Sequence, residues 1–547
     1  MNLRKIKYIG LLSIGLSLSS CNSILDITPP DQVTDVLMWQ NQDMVLVYTA
    51  NFYSKLSSGF SLPHYSASVF NGNLLSNLTD DAEVNGAAFN AYWLGNYDAS
   101  NSPLNGMWTS DRWTFIRRAN EFIQKVDQVP GNQELNQRMK AEVRFLRAYY
   151  YYDMMQWFGP LPIITTAQES IDEEAFVERA SLTAFQDFLI QEFQEVAKVL
   201  PKSYAASDWG RITKGAALVY KARVEMIAER WADAAITSQD IMDLGIYNLP
   251  VDYAAVFSSK NKMNTEIILS VQHNENRSER GHLFDSNNQP PAFGGRGGTL
   301  PTQNLVDAYQ MQATGLSISD PNSGYDPNNP YVGRDPRFAA TVLYDGASFR
   351  GRAMQLYNGG LDLTLSGGMV GGWVSNTGYY LKKFTDESIQ FADANVRSSQ
   401  NWILARYAEV LLNYAEAQNE SAGPDATVYE AINKVRSRAQ MPDLRGGLSK
   451  DEMREAIRQE RRIELAFEDF RFHDVKRWKL ATQLFSTTTN PIKKMEIVRN
   501  PTTNVKTYTI KNIAKQRIFL NKHYLYPIPL TEMIKPGNKL TQNPGWE

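Results

Sequence analysis

The chain has 547 residues, of which 43% are apolar and 21% charged, a balance that suits a folded globular protein and excludes a disordered one. Its 56 basic and 59 acidic residues leave a formal net charge of −3 with no block of one sign, which excludes an electrostatic footprint for nucleic acid. A single cysteine, Cys21, excludes any internal disulfide.

At the start, Arg4, Lys5 and Lys7 precede an apolar run over residues 8–18, and the small residues Ser19 and Ser20 lead into Cys21. The run is far shorter than the roughly 20 residues needed to cross a bilayer, and it has the make-up of a cleaved signal sequence. Leu18-Ser19-Ser20-Cys21 resembles a bacterial lipobox. Residues 1–20 are therefore expected to be a lipoprotein signal peptide, Cys21 the lipidation site, and residues 21–35 a tether to outer-membrane lipid. One acyl chain holds a membrane only marginally, whereas the two or three of a bacterial lipoprotein hold it firmly.

Residues 36–56 read as helix. Residues 57–105 are rich in Ser, Asn and Gly, and carry Asn77-Leu78-Thr79-Asp80-Asp81-Ala82 followed by Tyr92-Trp93. Helical pattern resumes over residues 108–126, and the densest pattern follows in residues 139–162, MKAEVRFLRAYYYYDMMQWFGPLP. Lys140, Arg144, Arg147 and Tyr151 recur at helical spacing as a polar stripe, while Val143, Leu146, Tyr150, Met154 and Trp157 form an apolar one. Phe145, Ala148, Tyr149, Tyr152 and Met155 form another, and a helix apolar on two faces packs between neighbours. Gly159 and Pro160 stop it.

Ser181 opens a helix that ends before Pro201; the segment from Gly210 to Ala217 then runs into a helix that reaches Arg230, and Trp231 starts its partner, which ends at Gly245. Ala222 and Ala228 face Ala232 and Ala235, a close-packed spacing that resembles a tetratricopeptide helix pair. Residues 272–400 are glycine-rich and leave room for little helix beyond residues 302–312; a loop-rich tract of this length inside a compact protein is usually functional. Helices return over residues 403–419, 427–438 and 450–480.

Several blocks resemble the SusD/RagB family, the surface nutrient-binding lipoproteins of Bacteroidetes-type bacteria. The central-helix signature is matched by Ala141, Glu142, Arg144, Phe145, Leu146, Arg147, Ala148, Tyr151, Phe158, Gly159 and Pro162. Further matches are Arg117-Arg118-Ala119-Asn120, Arg334-Asp335-Pro336-Arg337-Phe338, Tyr379-Tyr380-Leu381-Lys382-Lys383, Arg406-Tyr407-Ala408-Glu409, the run from Arg458 to Glu468, and the ending Gln542-Asn543-Pro544-Gly545-Trp546. The resemblance covers nearly all of the mature chain. It implies a mainly α fold, with a tetratricopeptide-like helical-repeat scaffold over residues 36–271 and 401–547 and a large loop-rich inserted region over residues 272–400 for ligand. It also implies a non-enzymatic, cell-surface lid on a SusC-like TonB-dependent transporter, capturing oligo- or polysaccharide. The alternatives are a peptide-binding RagB-like lid and a glycan hydrolase.

Enzyme chemistry has little to stand on. The five histidines are scattered without a His-x-x-x-His pair, and no Gly-x-Ser-x-Gly elbow occurs. Glu460 and Glu464 sit one helical turn apart among Arg458, Arg461 and Arg462, the setting of salt-bridged packing. Asp320, Asn322, Gly324, Asp326 and Asn328 alternate oxygens as a calcium loop does, but Tyr331 stands where its closing Glu belongs. No metal and no cofactor are expected. A sugar site needs an exposed aromatic platform beside amides and carboxylates. Trp93 is the first candidate, with Tyr92, Asn90, Tyr97 and Asp81 around it, because in the resembling family binding-loop aromatics follow a segment like Thr79-Asp80-Asp81-Ala82. The inserted tract adds Trp373, Tyr325 and Arg296.

Overall fold

The computed structural model describes residues 35–60, 74–85, 89–109, 111–168, 176–276, 281–364, 373–391 and 396–547. The signal-peptide and lipidation readings, Cys21 included, lie outside the described residues.

Helix α1 (Gln42–Tyr53) and α2 (Asp111–Lys125) flank one side of α3 (Gln133–Phe158). Asn132 caps α3 by accepting the Glu134 and Leu135 N–H groups at 2.9 and 3.2 Å. The polar stripe of α3 ties it to three neighbours. Lys140 pairs with Asp127, Arg144 and Arg147 each reach Glu192 at 2.6 Å, and Arg147 also donates to Asn120 Oδ1 at 2.7 Å. The Tyr151 hydroxyl exchanges hydrogen bonds with the Ile164 backbone at 3.0 and 3.1 Å. Val143, Leu146, Tyr150 and Trp157 have no exposed surface on the opposite faces. Gly159 ends the helix at φ 74, ψ −155, a conformation that side chains strongly disfavour.

From α3 the helices stack in sequence. α4 (Leu182–Val199) packs on α3, α5 (Lys214–Ile227) on α4, and α6 (Trp231–Met242) on α5. The next layer comes from far along the chain: α7 (Tyr407–Ala422) packs on α6, with α8 (Ala426–Arg438) and α9 (Lys450–Glu464) against α7. The result is a mainly α, tetratricopeptide-like array interrupted by one long insertion.

The insertion has a defined neck. Strand β1 (Ile267–Val271) pairs antiparallel with β2 (Trp402–Arg406), and Val271 lies opposite Trp402, so the chain leaves and re-enters the scaffold at one register position. This corrects the expected helix start at residue 403. Trp402 to Arg406 is a short, wholly buried run, and such runs carry no periodicity that separates strand from helix. The helix expected over residues 450–480 is also two, α9 and α10 (Phe470–Arg477), because Phe467 and Asp469 take left-handed conformations at φ 62 and 65. Residues 36–56 divide at Asn41, which caps α1 through its side chain. Within the insertion, no helix among the described residues exceeds six residues, and the helix at residues 302–312 shortens to Gln303–Ala308. A satellite cluster of Leu300, Leu343, Phe349, Met354, Leu356 and Tyr380 gives the insertion a small core of its own.

Candidate functional site

The segment around Trp93 is part of the core. Residues Asn90–Leu94 form a short helix where loop was expected, and Trp93, Tyr92 and Tyr97 are only 4–6% exposed. The Trp93 indole donates to the Asn77 carbonyl at 3.0 Å and stacks on Phe89, while Lys515 and Arg517 sit 4.7 and 4.8 Å from its ring centre. Tyr97 stacks between Tyr526 and Trp546 of the C-terminal ending. Asp81 is buried against Arg462 at 2.6 Å, and its neighbour Asp80 is held by both Arg462 and Arg471. Burial opposes the charge on Asp80, but the two guanidiniums outweigh it and bring its carboxyl down to about 2; on Asp81 burial prevails and the carboxyl is raised. The cavity beside these rings is about 20 Å³, room for a water molecule and not for a sugar. Of this group only Asn90 is exposed. Trp93, Tyr92, Tyr97 and Asp81 are therefore corrected from an exposed platform to core residues.

Trp373 is the opposite case, with 66% of its surface exposed. The loop that carries it is held from three directions. Its own N–H donates to the Arg296 carbonyl at 3.2 Å, Asn85 Nδ2 donates to the Val374 carbonyl at 2.7 Å, and the Ser375 N–H donates to the Tyr380 hydroxyl at 2.9 Å. Arg296 lies in Gly294-Gly295-Arg296-Gly297-Gly298, which folds back on the short helix Phe284–Asn288: Arg296 N–H reaches Ser286 O at 2.9 Å and Gly298 N–H reaches Asn287 O at 2.7 Å. Two of those glycines are dictated by close approach. A Cβ on Gly295 would lie 2.1 Å from the Gln289 carbonyl oxygen, and one on Gly297 would lie 2.8 Å from the Tyr380 ring. Trp373 and Arg296 are thus both exposed residues, joined to each other through their backbones.

Tyr325 is half-buried, with the Arg334 guanidinium 5.5 Å from its ring centre, and it shares no ring contact or hydrogen bond with Trp373. The alternating oxygens nearby close their own turns: Asp320 accepts the Asn322 N–H at 2.8 Å, and Asp326 accepts Asn328 and Asn329 at 2.9 and 2.7 Å. Among the described residues no group of three His, Cys, Asp or Glu side chains is placed to hold a metal ion.

Glu460 and Glu464 are 2% and 0% exposed, inside an ion-pair network that joins the insertion to the scaffold. Arg337 reaches Glu460 at 2.5 Å and Glu464 at 2.9 Å; Arg406 reaches Glu266 and Glu464 at 2.6 Å and Glu468 at 2.7 Å. Arg438 pairs with Glu464, and Lys383 with Glu468 at 2.6 Å. Burial opposes the charge on Glu464, yet Arg438, Arg406 and Arg337 hold its carboxyl well below the usual range. A carboxylate so enclosed is not available as an acid or base, so the family blocks at residues 334–338, 379–383, 406–409 and 458–468 serve the fold. Their partners lie far apart in sequence, and the sequence offered only the neighbouring arginines.

A family described as the SusD family matches residues 263–546, and one described as starch-binding associating with outer membrane matches residues 34–226. The SusD-like protein P25 of Formosa agariphila is 26% identical over 560 residues, covering 96% of each chain. A SusD-like protein from Bacteroides fragilis superposes with a TM-score of 0.80 at 28% identity, covering 95% of this chain and all of the other. A SusD-like carbohydrate binding protein from the same species superposes with a TM-score of 0.76 at 26% identity, covering 91% of this chain and 99% of the other. No helix among the described residues is long and apolar enough to cross a membrane.

Proposed function

The chain belongs to the SusD family, and from that premise we propose that it is an outer-membrane, cell-surface lipoprotein anchored through Cys21 that captures oligo- or polysaccharide. It delivers that glycan as the lid of a SusC-like TonB-dependent transporter, and breaks no bond in doing so. The observation that carries the binding site is the 66% exposure of Trp373, whose backbone bonds to the exposed Arg296 while Val374 and Ser375 bond to Asn85 and Tyr380. An indole face covers the C–H face of a pyranose ring, and the guanidinium supplies donors to its hydroxyls or to a carboxylate substituent. A site on pre-formed backbone loses little entropy on binding. Tyr325 and Asn90 are exposed enough to extend the surface and are secondary members of the proposal. A carbohydrate-binding relative with the same fold supports the ligand class.

One experiment tests anchor and activity together. Cys21→Ala should move the protein out of the membrane fraction, and the released protein on a glycan array should hold at least one glycan class without generating reducing ends. Retention in the membrane after a high-salt wash removes the lipid anchor from the account. Reducing ends that vanish with one Asp or Glu substitution move the protein to the hydrolases.

A further inference from the structure

A cavity of about 430 Å³ lies between the central helix α3 and helix α10, well away in sequence from Trp373 and sharing no residue with it. That volume falls in the range of small-molecule sites. Its walls are largely apolar and aromatic, with Tyr149, Met155, Tyr220, Met226 and Phe470 among them. A cavity with only such walls stays dry and needs no ligand, but this one is lined by polar groups that the fold leaves unused.

Lys476, on α10, is 6% exposed and makes no ion pair among the described residues. Its ammonium donates once, to the Gln156 carbonyl at 3.0 Å, and otherwise lies over the rings of Trp157 and Phe472. Gln186 on α4 is 7% exposed and Tyr220 on α5 is 1% exposed, and neither side chain has a hydrogen-bond partner among the described residues. His473, one turn before Lys476, likewise makes none; it contacts Trp157 and Phe472 through its ring. Asp469, at the start of α10, faces the same space while accepting the Leu75 N–H at 3.0 Å. Buried polar groups are normally satisfied, and a buried cation without a counter-ion is costly. Burial pulls the Lys476 ammonium down to about 7, the expected response of a cation that lacks a partner.

The lining carboxylates Asp153, Glu409, Glu468 and Asp474 are already paired with arginines or Lys383. The Lys476 ammonium can only donate and lacks a counter-ion among the described residues, so the partner it is missing is a negatively charged acceptor to which the phenol, the amide and the imidazole can add hydrogen bonds. The apolar walls ask that the rest of it be an aromatic or aliphatic body. We propose that this cavity is a second binding site, separate from the glycan surface, for a small carboxylate-bearing molecule whose carboxylate sits on Lys476 with Gln186 and Tyr220 as further donors. Asp469 receives a hydroxyl or amino donor at the other end of the ligand.

The test uses the purified full chain with 4-hydroxyphenylacetate, which has a carboxylate, an aromatic body and a distal hydroxyl, and its neutral isostere 4-hydroxyphenylacetamide. Calorimetric titration should give saturable 1:1 binding of the acid, with the amide weaker by about tenfold or more. Lys476→Met keeps the length of the side chain and removes the unpaired charge. It should melt no lower than the wild type, erase the preference for acid over amide, and leave glycan affinity unchanged. Gln186→Leu should weaken the acid without erasing its preference. Equal affinity for acid and amide overturns the proposal, as does a preference that survives Lys476→Met. Failure of the acid to saturate by about 10 mM assigns the cavity to water alone.

Discussion

Trp93 and Trp373 stand in stretches of similar make-up, each surrounded by Gly, Asn and Ser, yet one is 4% exposed and the other 66%. The difference lies in what the rest of the chain brings to them. Around Trp93, Arg462, Arg471 and Arg517 arrive from hundreds of residues away and pair with Asp80, Asp81 and Glu83, and Lys515 and Arg517 lie over the indole. Around Trp373 the long-range partners bind backbone only, so the loop is fixed while the ring stays outside. An aromatic residue next to carboxylates in sequence is thus poor evidence for a sugar site when the chain has arginines left to pair with those carboxylates.

Substitutions that break this contrast are ordered by expected size. Arg406→Ala takes one cation from Glu266, Glu464 and Glu468 at once, leaving Arg438 for Glu266, Arg438 and Arg337 for Glu464, and Lys383 for Glu468, and breaking even one buried pair costs about 3 to 5 kcal/mol. Chemical denaturation should show at least that loss, or no folded protein; a loss under about 1 kcal/mol would mean the network is solvated. Trp93→Ala should cost roughly 3 to 5 kcal/mol through the cavity it leaves, read in the same assay. Acid sharpens the contrast without mutation. Burial depresses His473 to about 3 and His523 to about 4, both below the ordinary imidazole value. The unfolded chain therefore takes up protons first as pH falls, so stability present above about pH 6.5 drains away towards pH 4 and below. Melting temperature should fall over that window while glycan affinity at the exposed Trp373 holds until the fold gives way. A melting temperature flat from pH 7 to 4 would show these imidazoles to be solvated.

How much of this was legible in sequence varies with the range of the interaction. The polar stripe of α3 and its stop are local properties, and Ser181 marks the start of α4 by its side chain, which accepts the Ala184 N–H. The scarcity of helix in residues 272–400 was legible from its glycines, and among the described residues no helix there exceeds six residues. The strand at Trp402–Arg406 was not, since a five-residue apolar run fits either structure. The break between α9 and α10 was not either, because it turns on left-handed conformations at Phe467 and Asp469, which phenylalanine rarely adopts and aspartate adopts only occasionally. The break inside the helix expected over residues 36–56 was missed as well, although its cause is local: the Asn41 side chain accepts the Asp43 and Met44 N–H groups. At the site, exposure was the illegible quantity, since Lys515 and Arg517 come over the Trp93 ring from more than 400 residues away.

The central claim is that Trp373 is the glycan platform and Trp93 a core residue. Its most direct test is calorimetric titration of an array-identified oligosaccharide against Trp373→Ala, with a thermal melt of the same sample. The account predicts an affinity loss of about 2 kcal/mol or more, roughly thirtyfold, with stability unchanged to within about 0.5 kcal/mol. Undiminished affinity in a normally folded Trp373→Ala protein would contradict it.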